Sequence, residues 1–148
     1  MTKDLVAIIK ADSYEGIRET LQRGLSAIGG LPTFENSHIA IKPNLCAYRS
    51  SESGATTDVD MVRALIETIN EKSSNSRVSV VESNSESTHA TRSFIFHNYS
   101  SLEHEFGNVR LVNLSRDNRI NITLEDGKAF HLLEIPETLM DVDYLILS

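Results

Sequence analysis

Short apolar runs alternate along this chain with segments of helical period, and that alternation constrains the fold more than any other feature. The stretch 41–67, IKPNLCAYRSSESGATTDVDMVRALIE, shows the unit at its clearest: a strand, a polar loop and an amphipathic helix. The run HIAIK at 38–42 reads as a strand cut off by Pro43, which cannot donate to a central ladder. Beyond it, Thr57 is the expected N-cap, Asp58 and Asp60 sit in the first helical turn, and Val62, Leu65, Ile66 and Ile69 form the buried stripe.

The same unit recurs on both sides. LVAII at 5–9 is continuously apolar, as expected of a strand buried on both faces. Asp12 and Glu15 resemble a capping box; Ile17, Leu21, Leu25 and Ile28 follow at helical spacing, and Gly29, Gly30 and Pro32 supply a stop. A third strand is expected at 77–81, then a helix with Ile95, Tyr99, Leu102 and Phe106 on one face, then a strand at 109–114. The alternation breaks at 120–124 and 129–133, two short strands that Asp126-Gly127 marks as a hairpin. A helical turn after Pro136 leads to YLIL at 144–147, read as a buried parallel strand. The expected fold is therefore α/β: a largely parallel twisted sheet with helices on both faces and one β-hairpin insertion. The 148 residues are read as a single domain, and an ending on a buried strand suggests truncation at the C-terminus.

Composition narrows the function classes. A formal charge of −7 with no Lys/Arg run disfavours nucleic acid. The single cysteine, Cys46, rules out an iron–sulfur cluster or zinc ribbon built from this chain alone, leaving O and N ligands for any divalent metal. No apolar run is long enough for a signal-peptide core or a membrane span, so a cytoplasmic protein without a membrane partner is the expectation. The sequons at Asn98, Asn113 and Asn121 are then chance products of an Asn/Ser-rich composition.

Ile41-Lys42-Pro43-Asn44-Leu45, Ser53-Gly54-Ala55-Thr56-Thr57 and Val62-Arg63-Ala64-Leu65-Ile66-Glu67 together resemble the N-terminal half of the domain of unknown function 362 family. Val6-Ala7-Ile8-Ile9-Lys10, Val80-Val81-Glu82-Ser83 and Asp143-Tyr144-Leu145-Ile146-Leu147-Ser148 resemble it in the same order. The resemblance implies a prokaryotic α/β domain and little chemistry. Longer members of such a family often carry a ferredoxin-like segment, which one cysteine cannot reproduce.

The loops after 38–42 and 77–81 are the candidate site, because in open α/β sheets ligands bind at the carboxyl ends of the strands. Lys42 and Asn44 flank Pro43; with Ser53, Gly54, Thr56 and Thr57 they could hold a phosphate or carboxylate through charge, hydroxyls and backbone N–H groups. The bland alternative is an Asx turn at Asn44, a capping Thr57 and a solvated Lys42, with Asp58 and Asp60 opposing an anion. Neither a Walker loop nor a dinucleotide fingerprint is present.

Glu82, Glu86 and His89 could ligate a divalent metal, against the commoner reading as exposed polar residues of a Ser-rich loop. Cys46 is expected to be a small buried hydrophobe rather than a nucleophile. His38, His97, His104 and His131 read as structural or exposed, and Ser85, Ser87 and Thr88 have no nucleophile-elbow context. A small anionic ligand is the leading expectation, whether or not the protein is an enzyme. The alternative is a non-catalytic assembly module, a homodimer or part of a larger, redox-linked protein whose missing segment completes the sheet.

Overall fold

Four parallel strands form the main sheet, and the connections between them set which loops meet at its carboxyl edge. The computed structural model describes residues 5–10, 16–73 and 75–148. Helix α1 spans Ile17–Ala27; β1, His38–Lys42, leads through a 3-10 turn at Ser51–Ser53 to α2, Val59–Lys72. Then follow β2 (Arg77–Glu82), α3 (Ala90–Phe96), α4 (Ser100–Glu105) and β3 (Val109–Asn113). The antiparallel pair β4 (Arg119–Thr123) and β5 (Leu132–Pro136), the short α5 (Glu137–Met140) and β6 (Tyr144–Leu147) complete it.

Alternation along β1 and β2 sends Ile39, Ile41, Val78 and Val80 into the main core, with Val62, Leu65, Ile66 and Ile69 of α2 as expected. Phe94, Tyr99 and Leu102 complete that layer. Ala40 and Val81 point the other way, into a smaller cluster with Leu114, Leu139 and Val142 beside α5. Helices thus lie on both faces, unequally. The chain winds outward from β1 through β2 to β3, then returns by way of the β4/β5 pair and α5 to place β6 on the far side of β1. The winding reverses between β1 and β6. A crevice at such a switch point, outside the strands' carboxyl ends, is the usual ligand position.

Four local expectations differ from the structure. The apolar run at 5–9 is not in the sheet: Leu5, Val6 and Ile8 are exposed, while Ala7 and Ile9 lie against α1 beside Met61. An apolar run becomes a strand only with a ladder partner, and among the described residues this one meets a helix instead. The proposed capping box at Asp12 lies outside the described residues. The single helix through Ile95 and Phe106 is two helices, because Asn98 adopts φ 59° and ends α3. Its neighbours close a Schellman motif: Tyr99 N–H donates to Phe94 O at 2.8 Å and Asn98 N–H to Ile95 O at 3.1 Å, with the Phe94 and Tyr99 rings in contact. The break turns Ile95 out to solvent and brings Phe94 into the core.

The hairpin loop is longer than Asp-Gly suggests, since Thr123 pairs with Leu132 and the second strand runs to Pro136. Finally β6 is parallel, as expected, but it is an edge strand whose Leu145 and Leu147 are exposed.

Candidate functional site

Lys42 ends β1 and Glu82 ends β2, and the two side chains meet across the carboxyl edge of the sheet with Nζ 3.2 Å from Oε1. Glu82 is buried and fully occupied. Its carboxylate accepts from the Ser83 N–H at 2.8 Å and from the Leu45 N–H at 3.1 Å as well as from Lys42. Pro43 matters here, because it ends the ladder and turns the chain so that Leu45 falls back over the end of β2. Lys42 is half-buried and donates also to Pro43 O at 3.1 Å. An ammonium has three donors, and Glu82 and Pro43 O are the acceptors it meets among the described residues.

The loop after β1 is pinned to the strand end from within. Asn44 N–H donates to Thr57 Oγ1 at 3.0 Å, Thr57 N–H to Asn44 O at 2.9 Å, and Asn44 Nδ2 to Ala55 O at 3.1 Å. Thr57 is therefore not the N-cap. Asp58 takes that place, accepting from Asp60 N–H at 2.9 Å, while the Thr57 hydroxyl donates to Ser148 O at 2.9 Å and ties the ends of β1 and β6 together. The Thr57 oxygen already accepts from the Asn44 N–H, and the Asp58 carboxylate, one residue closer to the helix, reaches the free N–H groups. Ser53 Oγ donates to Ser50 O at 2.7 Å, Thr56 Oγ1 to Arg49 O at 3.3 Å, and Gly54 takes φ 71°, a left-handed turn that favours glycine.

The candidate anion residues thus fall into two groups. Thr57 lines a cavity of about 360 Å3 with Ser50, Ser51, Asp58, His97 and Asn98, and Lys42 is not on its wall. Lys42 stands instead with Glu82. Tyr99, which the sequence did not single out for the site, reaches it from the core: its hydroxyl donates to Thr57 O at 3.1 Å. Burial, with the nearby Asp58 and Glu82 charges adding to it, pushes the phenol well above the ordinary tyrosine range.

Glu82, Glu86 and His89 are not assembled as ligands; among the described residues no group of three or more His, Cys, Asp or Glu side chains is placed to hold a metal ion. Glu86 is exposed, and the His89 backbone N–H donates to the Tyr48 hydroxyl at 3.0 Å. Cys46 is exposed rather than buried, its thiol directed to Ala55 O at 3.3 Å. His97 is structural, as expected, donating from Nε2 to Ala47 O at 2.9 Å and so docking the loop on α3. Among the described residues no helix is long and apolar enough to cross a membrane.

A four-stranded parallel sheet with helices on both faces and a small antiparallel pair defines the class, an α/β domain. The family model described as a domain of unknown function (DUF362) matches residues 39–147, and the chain belongs to that family. No curated protein and no solved structure matched this chain.

Proposed function

We propose that this domain binds a small molecule bearing a carboxylate or phosphate at the carboxyl edge of β1, with Lys42 as the charged contact. The observation that carries this is the third donor of the Lys42 ammonium, left over after Glu82 and Pro43, at the strand that borders the switch point. Asn44 and Thr57 shape the crevice by holding its loop, and Gly54 allows that loop its turn. Because Glu82 already compensates the lysine and the loop hydroxyls are spent internally, affinity for an anion alone is modest and specificity comes from the rest of the ligand.

Thermal shift against phosphate and small dicarboxylates tests it. Ligand at about 100 times its dissociation constant adds roughly 2.7 kcal/mol of stability. The shift should vanish in Lys42→Ala and grow in Glu82→Gln, which removes the competing negative charge. A shift that survives Lys42→Ala would overturn the assignment.

A second function, assembly with a further copy of the chain, is favoured by one observation: the outer edge strand β6 exposes Leu145 and Leu147. Sedimentation equilibrium separates the two. A monomer at high concentration would exclude assembly through that edge.

A further inference from the structure

On the thinly covered face of the sheet, at the opposite end of β1 from Lys42, His38 lies between Ser79 and Asp141. His38 Nε2 is 2.8 Å from Ser79 Oγ, and Nδ1 is 3.2 Å from Asp141 Oδ2 and 3.1 Å from Asp141 O. The register makes this contact possible: Ala40 pairs with Ser79, so His38 and Ser79 are diagonal neighbours on one face of β1 and β2. Asp141 follows directly after α5, and its carboxylate also receives the Arg77 guanidinium. The His38 backbone N–H donates to Asp143 Oδ2 at 2.8 Å, fixing the ring's root.

The tautomer follows from the partners. Both atoms facing Nδ1 are oxygens without a proton, so Nδ1 carries the hydrogen, Nε2 is the lone-pair nitrogen, and the Ser79 hydroxyl donates to it. That is the donor order of a serine nucleophile, a base and an orienting carboxylate. It opens onto space: His38, Ser79 and Asp141 share the wall of a cavity of about 550 Å3 with Thr138, Asp117 and Glu137. Thr138's hydroxyl has no hydrogen-bond partner among the described residues, which leaves it available to an incoming carbonyl oxygen.

We propose that this cavity is an acyl-transfer site for small esters carrying a cationic group, with Ser79 as nucleophile, His38 as base and Asp141 as the positioning residue. Ser79 Oγ attacks the ester carbonyl carbon as its proton passes to His38 Nε2. The C–O bond to the alcohol then breaks, and the same proton leaves with the alcohol. Water attacks the acyl-serine, gives a proton to Nε2, and releases the acid while Ser79 regains its hydrogen. The acidic wall selects for positive charge: Asp117 and Glu137 are held by neutral donors, Asp117 by the Thr138 and Asn118 N–H groups and Glu137 by the Asn118 amide, so neither charge is cancelled.

A fluorophosphonate probe followed by peptide mapping tests the nucleophile. Expected is a single adduct on Ser79, absent in Ser79→Ala, formed about 100-fold more slowly in His38→Asn and slowed in Asp141→Asn, whose carboxylate is exposed enough for the change to leave the fold intact. Labelling unaffected by saturating inorganic phosphate separates this site from the anion crevice. With nitrophenyl esters, an acyl chain ending in an ammonium should be hydrolysed faster than one ending in a carboxylate. No adduct on Ser79 in the folded protein, or equal labelling in wild type and Asp141→Asn, would show that the serine only satisfies the histidine and would overturn the proposal.

Discussion

Lys42 and Glu82 face each other across the carboxyl edge of two central strands, yet they are unequally committed, the lysine side chain being 37% exposed and the glutamate 9%. The difference decides which is the structural partner. Removing Glu82 strands the Leu45 and Ser83 N–H groups as well as an ammonium, whereas removing Lys42 leaves a carboxylate with two backbone donors. Glu82→Ala is expected to cost about 2–4 kcal/mol and Lys42→Ala about 1 kcal/mol, on the scale of buried charged hydrogen bonds against exposed ones. Urea midpoints measure both; equal costs would mean that the pair, not the backbone contacts, holds the strand ends.

Tyr99 supplies a prediction about alkaline pH. Its phenol is held above the ordinary value by burial and by Asp58 and Glu82, so the unfolded chain ionises first. A group with a raised folded pKa contributes stability that is complete below its unfolded pKa, about 10 for tyrosine, and is lost as pH rises towards the folded value. Stability should therefore decline above about pH 10, and Tyr99→Phe should flatten that limb while costing about 1 kcal/mol at neutral pH through the lost bond to Thr57 O. Denaturant titrations at pH 8 to 11 give the comparison.

Asn98 is the hinge between α3 and α4, and its φ of 59° limits what can replace it. Glycine should be tolerated or slightly stabilising there. Valine, which is β-branched, should cost about 1–2 kcal/mol, and the loss should fall on the Phe94–Tyr99 contact that the Schellman motif brings together. Calorimetric unfolding of Asn98→Gly and Asn98→Val checks the order; a valine variant as stable as wild type would show that the left-handed turn does not hold the helices apart.

What the sequence disclosed of this fold follows local rules. Strand β1 stops where Pro43 removes a donor, and the stripe of α2 is buried at every expected position, because each depends on neighbours within a few residues. What it concealed depends on distant partners. The run at 5–9 has the composition of a strand and lacks a ladder, and the Asn98 turn can be recognised only once Phe94 and Tyr99 are seen to close it. The site divides in the same way. Lys42 and Asn44 were legible as polar groups at a strand end, but nothing near Lys42 in the chain indicates Glu82, 40 residues away. His38, Ser79 and Asp141 were invisible for the same reason: only strand register and the return through α5 bring them together.

Strand β6 leads to the last prediction. It pairs with β1 on one side, while its other edge and the side chains of Leu145 and Leu147 face outward. Soluble proteins commonly blunt such an edge with charge, and this strand, YLIL, contains none. Assembly through β6 should therefore be weakened by lysine at Leu147, the more exposed of the two at 73%, with little loss of fold stability because that side chain is already in water. Sedimentation velocity over a hundredfold concentration range is the measurement. A wild type that associates and a Leu147→Lys variant that stays monomeric would place the contact on this edge; association unchanged by the lysine would move it elsewhere, with the exposed run at Leu5, Val6 and Ile8 the next surface to test.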